Sequence, residues 1–398
     1  MVKGAASERP FDADATALTA GQRRRSLAVA MASAAAAGLT IGLTVPLLAL
    51  ILEHDGVDTT LIGLNSAMAA LAIVVSAPFT PRLVRRFGTL PSMYLGIALA
   101  VVAILLLAVF RELSAWFVLR FVVGLGMAVH WVVGEAWINA VAGNENRGRV
   151  IGLYATVLSA GFATGPLVVA VVGIEGVTPF LASAGLLALG ALPLLFARGV
   201  APPMAVRTTT TLAQFFRHAP TTLAAALAAG FSDSALFALL PLYSLHSGFD
   251  QATAVTMLSV FVAGNLALQL PIGWLADRID RRLLLMVCAA VGVVGPVLLP
   301  FVIDVPLLVW PVLFIWGGTI EGLYTVGLTL LGERFELGDL AGANAAFVMI
   351  YSAGGVAGPS LAGGAMDVWD PHGLSLVVAL AGAAFLAVVV VRRARARE

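Results

Sequence analysis

About twelve stretches of roughly 20 mostly apolar residues follow one another along this chain, broken by charges, glycines and prolines. They lie near 27–52, 59–80, 90–110, 114–142, 150–173, 177–197, 219–246, 252–276, 283–302, 306–332, 342–366 and 373–391. A helix rising about 1.5 Å per residue crosses the ~30 Å hydrocarbon layer of a bilayer in that length. The expected fold class is an all-α membrane protein with twelve transmembrane helices. Composition agrees: 60% of the residues are hydrophobic and 11% charged, where soluble domains carry about a quarter charged. Residues 1–26 are polar and end in Arg23-Arg24-Arg25. The apolar run that follows is too long for a signal peptide and is expected to stay as an anchor.

Most connections are short. One is long: GVAPPMAVRTTTTLAQFFRHA, residues 199–219, divides the segments six and six. The predicted organisation is a cytoplasmic tail (1–26), a six-helix bundle (27–198), a cytoplasmic linker (199–218), a second six-helix bundle (219–391) and a cytoplasmic tail (392–398). Of the 23 lysines and arginines, all but Arg111 and Arg120 fall in the tails, the linker and the loops on one side. Glu53, Asp55, Asp58, Asp250, Asp304, Asp367 and Asp370 fall on the other. The positive-inside rule then makes both termini cytoplasmic. Trp116, Trp137, Trp274, Trp310 and Trp369 lie near predicted interfaces, as an aromatic belt would.

The halves are copies. At an offset of 193, Gly124 lies on Gly317, Gly134 on Gly327, and GFATGPL (161–167) on GGVAGPS (354–360). Six-helix repeats in the same orientation are how a large group of secondary transporters is built.

Several motifs are similar to those of the major facilitator superfamily. The loop after segment 8, Gly273-Trp274-Leu275-Ala276-Asp277-Arg278-Ile279-Asp280-Arg281-Arg282, resembles the family's G-x-L-A-D-R-x-G-R-R. Its sister, Pro81-Arg82-Leu83-Val84-Arg85-Arg86-Phe87-Gly88, keeps Leu83, Arg86 and Gly88 but has Arg85 in place of the aspartate. Arg120-x-x-x-Gly124-x-Gly126 resembles the R-x-x-x-G-x-G motif, and Gly152, Gly161, Gly165 and Pro166 have the spacing of an antiporter signature. WVVGEAWINAVAGNENRGRVIGLY resembles a YcaD-like bacterial branch of the family. The resemblance implies two pseudo-symmetric bundles, with segments 3, 6, 9 and 12 facing lipid. It implies a bacterial inner membrane, a monomer, and antiport.

Charges in a membrane are expensive and mark functional paths. The deep ones here lie on segments that the resemblance places at the cavity: Arg120, His130 and Glu135 on segment 4, Asp233 on segment 7, Glu321 on segment 10. Glu321, Asp233 and Arg120 are the candidate proton-coupling groups; a partly desolvated carboxyl exposed alternately to two sides is what proton coupling needs. Arg120 reads either as snorkelling to the interface or as contacting a carboxylate or substrate. Glu135, with Arg82, Arg86, Asp277, Arg278 and Arg282, is assigned to a cytoplasmic gate. His130 reads as packed and hydrogen-bonded rather than as a proton relay. Trp131, Tyr154, Asn265, Gln269, Trp316, Tyr324 and Tyr351 are the candidate cavity lining, suited to a neutral or cationic amphiphile. Gly161, Gly165, Pro166, Gly354, Gly358 and Pro359 are expected to let helices pack closely and slide.

The expected function is proton-coupled antiport of a small molecule by alternating access. The alternatives are a symporter or facilitator for a small metabolite or organic anion, and a non-transporting receptor or scaffold. No catalytic motif, paired Cys and His, or phosphate-binding loop points to an enzyme, cofactor or metal site; the single cysteine, Cys288, offers no thiolate cluster. A net charge of +1 does not suggest a nucleic-acid partner.

Overall fold

The structure is a computed structural model that describes residues 18–142, 147–202, 219–332 and 337–395. Most of the linker expected at 199–218, most of the N-terminal tail and the last three residues of the C-terminal tail lie outside the described residues. Among those described, twelve helices are long and apolar enough to cross a membrane. They are span 1 (Ala20–His54), span 2 (Thr59–Ser76), span 3 (Thr89–Val109), span 4 (Leu113–Val141), span 5 (Gly152–Val172) and span 6 (Thr178–Ala197) in the first half. Span 7 (Pro220–His246), span 8 (Gln251–Ala276), span 9 (Arg281–Val302), span 10 (Pro306–Leu331), span 11 (Ala343–Val368) and span 12 (Gly373–Ala394) make the second.

Two boundaries differ from the sequence reading. Span 1 starts at Ala20, ahead of the apolar run, because Thr19 and Gln22 form a reciprocal capping box that carries the three arginines into the first turns. The connection between spans 2 and 3 contains a short helix, Thr80–Phe87, with Pro81 at its start and Gly88 at its end. Gly88 has a φ of 87°, where a side chain would be strained.

Packing repeats between the halves. Span 1 lies along span 5 as span 7 lies along span 11, and span 4 contacts spans 2 and 3 as span 10 contacts spans 8 and 9. Between the halves, span 2 packs on span 11 and span 5 on span 8, pairs that exchange when the halves are swapped. Glycines set the closeness. A Cβ at Gly161 would meet Leu39 and Ala35 of span 1, and one at Gly165 would meet Gly42 and Leu43. At Gly354 and Gly358 the obstacles are Leu227 and Phe231 of span 7. In lipid, where apolar surface gains little by leaving the solvent, such backbone contact supplies the dispersion energy of association. Spans 1 and 7 are the most enclosed. Spans 3, 6, 9 and 12 display exposed Leu99, Val102, Leu181, Leu189, Val294, Val297, Leu380 and Val391, as helices against lipid chains do.

The tryptophan belt is narrower than expected. Trp116 and Trp137 are fully buried, their indole N–H groups donating to Phe110 O at 2.7 Å and Ser26 Oγ at 2.8 Å. Each finds its acceptor within the first bundle and has no need of the interface. Trp274 and Trp369 are exposed.

Candidate functional site

Three carboxyl groups lie inside the membrane-spanning layer where the halves face each other. Asp233 on span 7 and Glu321 on span 10 are neighbours whose carboxyl groups interact with each other. A carboxylate has only acceptors, so a hydrogen bond between the two forms only when one of the pair holds a proton. Tyr351 on span 11 donates from its hydroxyl to Asp233 Oδ2 at 3.1 Å. The Tyr324 ring meets Tyr351 edge-on at 5.2 Å and Phe347 at 5.1 Å. Asp233, Glu321, Tyr324 and Tyr351 are only half buried.

Glu135 accepts from Trp131 Nε1 at 2.8 Å, one turn earlier on span 4. Its electrostatic neighbours are Tyr154 on span 5 and Tyr324 on span 10. Glu135 therefore belongs with the aromatic groups between the bundles, and no ion pair joins it to Arg82 or Arg86 among the described residues. The short helix that carries those arginines packs beside Val129. Six residues on an α-helix turn through about 600°, so Glu135 points roughly 120° away from Val129. The other gate residues are also engaged locally: Arg82 donates to Pro78 O at 2.8 Å, Arg278 stacks 3.6 Å over Trp274, and Asp277 lies 3.4 Å from Arg281. Arg282 is exposed.

Trp316 is not among the groups gathered between the bundles. It is buried, edge-on to Phe261 at 5.3 Å, with its ring over Gly295 of span 9. Five residues before Glu321, it points about 140° away from that carboxyl. Asn265 and Gln269 are half buried on span 8, and Asn265 Oδ1 has no hydrogen-bond partner. Arg120 touches no carboxylate among the described residues. It is buried, with Nη1 3.5 Å from Thr44 O of span 1 and Nε unpartnered. His130 is packed: Nε2 lies 2.8 Å from Ser33 Oγ.

Two residues escaped the sequence reading. Phe162 on span 5 stacks on Trp131 at 6.0 Å and meets Phe237 of span 7 edge-on at 5.9 Å, bridging the halves. Phe237 is one turn from Asp233, about 6 Å along the axis toward the arginine-poor end. A phenylalanine among apolar neighbours gives no signal of such a role.

The arginine-poor end is tied across the halves. The Asp367 carboxylate at the end of span 11 accepts from the backbone N–H groups of Thr59 and Thr60 at 2.9 Å each, and from both hydroxyls. His246 places Nε2 2.6 Å from Glu53 Oε1 and Nδ1 against the Asp370 carboxylate. A neutral imidazole has one N–H, so both bonds together require a shared extra proton. No ion pair among the described residues crosses between the halves at the arginine-rich end.

Two six-helix bundles, a central carboxyl cluster and contacts that close one end define the class of secondary transporters built from six-helix repeats in the same orientation. The profile of the Major Facilitator Superfamily matches residues 30–317 and 223–398, and the chain belongs to that family. It is 30% identical over 345 residues to the uncharacterized MFS-type transporter YcaD of Salmonella arizonae, covering 86% of this chain and 89% of that one. It is 24% identical over 349 residues to the uncharacterized MFS-type transporter YfkF of Bacillus subtilis, covering 86% and 89%. Its fold is that of the crystal structure of nucleoside transporter NupG, with a TM-score of 0.79 at 13% identity, over 92% of this chain and 99% of that one. The chain is thus a multi-pass membrane transporter of the YcaD-like branch and not an enzyme.

Proposed function

We propose that this transporter couples proton entry to the export of a small neutral or cationic amphiphile across a bacterial inner membrane. It would work as a monomer, with both termini cytoplasmic. The neighbouring carboxyl groups of Asp233 and Glu321 carry this reading. With one proton the pair is a stable contact. With none, two carboxylates repel each other, and span 7 is pushed from span 10. Span 7 also bears Phe237, whose contact with Phe162 joins the halves. Loss of the proton thereby loosens the contact that separates the cleft from the arginine-poor end.

No described cation forms an ion pair with Asp233, Glu321 or Glu135. A site with carboxyls, aromatic faces and no counter-charge favours a positively charged or neutral occupant over an anion. Substrate and proton then compete for the same carboxyls, which is antiport. The structure has the arginine-poor end latched, and basic loops near the other end support reading that as the cytoplasmic, open side.

Everted vesicles with an imposed proton gradient, read by a pH-sensitive dye, test this. Addition of compounds from a panel of cations, neutral amphiphiles and anions is expected to collapse the gradient for members of the first two classes. D233N and E321Q are each expected to abolish that response. Gradient-driven accumulation of an anion or a metabolite in right-side-out vesicles, without any efflux response, would overturn export in favour of symport.

A further inference from the structure

The short helix Thr80–Phe87 carries Arg82, Arg85 and Arg86 at the edge of the membrane layer, all exposed. None is in an ion pair among the described residues, and the chain has no acidic residue between Asp58 and Glu112. The repeat-related loop sets two aspartates against its three arginines: Asp277 faces Arg281, and Asp280 caps span 9, accepting from Leu283 N at 2.8 Å. Beside the basic helix is a groove of about 290 Å³ lined by Ser76, Phe79, Thr80, Arg82, Leu83, Arg86, Phe87 and Val129. Its floor is apolar and its rim carries two guanidinium groups. Phe79 and Phe87, 60% and 51% exposed, lie under those groups, with Arg82 5.9 Å and Arg86 5.5 Å from the ring centroids. Val75, exposed at the end of span 2, continues the apolar surface into the lipid layer.

We propose that this groove binds one anionic phospholipid, its phosphodiester held by Arg82 and Arg86 and its glycerol end seated over Leu83 and Val129. Guanidinium groups bind phosphate oxygens through paired N–H donors, and basic pockets at the cytoplasmic face of spans suit such headgroups. Exposed rings at that depth match the boundary between headgroups and chains. The site is independent of what the transporter carries.

The test uses the full-length protein, delipidated in detergent and offered micelles of phosphatidylcholine with phosphatidylglycerol. Bound headgroups are counted by mass spectrometry after gel filtration. The wild type is expected to retain phosphatidylglycerol in preference to phosphatidylcholine. R82Q/R86Q is expected to lose about fivefold in affinity per arginine, from roughly 1 kcal/mol for each basic residue near the surface. R278Q/R282Q, in the sister loop, is expected to bind as the wild type does. V129W, which fills the groove and leaves every charge in place, is expected to reduce retention and covers the case in which the arginine variant does not fold. Equal retention in wild type and V129W overturns the site. So does equal loss in R278Q/R282Q, which would mean general surface attraction. Displacement of the lipid by millimolar inorganic phosphate would assign the arginines to a free anion and overturn the lipid assignment.

Discussion

The two ends of this transporter solve the same problem differently. At the arginine-poor end, polar side chains reach across: Asp367 of the second half receives four hydrogen bonds from Thr59 and Thr60 of the first, and His246 is bridged to Glu53. At the arginine-rich end no ion pair among the described residues crosses between the halves; Arg278 stacks on Trp274 and Asp277 faces Arg281. Glycines reinforce the difference, since a Cβ at Gly63 would strike Pro359 and one at Gly363 would strike Thr59. One end is a lock with matched parts. The other is a rim whose charges serve the membrane and the loops. The difference says that opening the first end must break a defined set of bonds.

The sharpest way to break the comparison is to make the lock permanent. Cysteines at Thr60 and Asp367, joined by a short thiol-reactive linker, are expected to reduce transport to the vesicle background. Native Cys288 is buried and leaves the engineered pair as the accessible thiols. Cleavage of the linker with a reductant restores transport if the closed end has to open; persistence of transport in the cross-linked protein would show that it does not.

Next in size is the sliding surface. G165L and G358L each push a side chain against the backbone of the facing helix, at Gly42 and Phe231 respectively. Overpacking of this kind costs about 1–3 kcal/mol. A lower melting temperature and slower transport are expected from both, and unchanged values would mean that the helices separate there more freely than the contact implies.

Removing parts of the latch should do less. F237A deletes the ring that meets Phe162, and thiol labelling from the arginine-poor side of a cysteine placed at Tyr351 should accelerate. H246Q keeps a polar group but cannot bond both carboxylates in the same way. Partly exposed ion pairs are worth about 0–1 kcal/mol, so the open population should rise by no more than about fivefold. A much larger shift would show that His246, and not the Asp367 network, holds the end closed.

Much of this molecule was legible in the sequence because lipid imposes a simple rule. Each span had to be long, apolar and helical, so the twelve segments and the six-plus-six repeat were visible as hydropathy and glycine spacing. The repeat even located the close contacts, since Gly161 and Gly165 on span 5 and Gly354 and Gly358 on span 11 both abut the first helix of their own half. The carboxyls stood out for the same reason: a charge in an apolar helix is conspicuous. Partners were harder. Glu135 looked near the arginines by distance along the axis, yet it turns about 120° away from them around it. Trp316 looked like a cavity residue by depth, yet its ring covers Gly295.

By itself the sequence determined how many times the chain crosses, which residues are costly in the membrane and which segments repeat, because hydropathy and helical rise are properties of one segment at a time. Only the tertiary structure decided that Asp233 and Glu321 are neighbours, that Phe162 meets Phe237, and that Asp367 and His246 close one end. Those contacts join residues more than 70 positions apart on helices whose rotation about their own axes is set by packing against neighbours, and no single segment encodes that rotation.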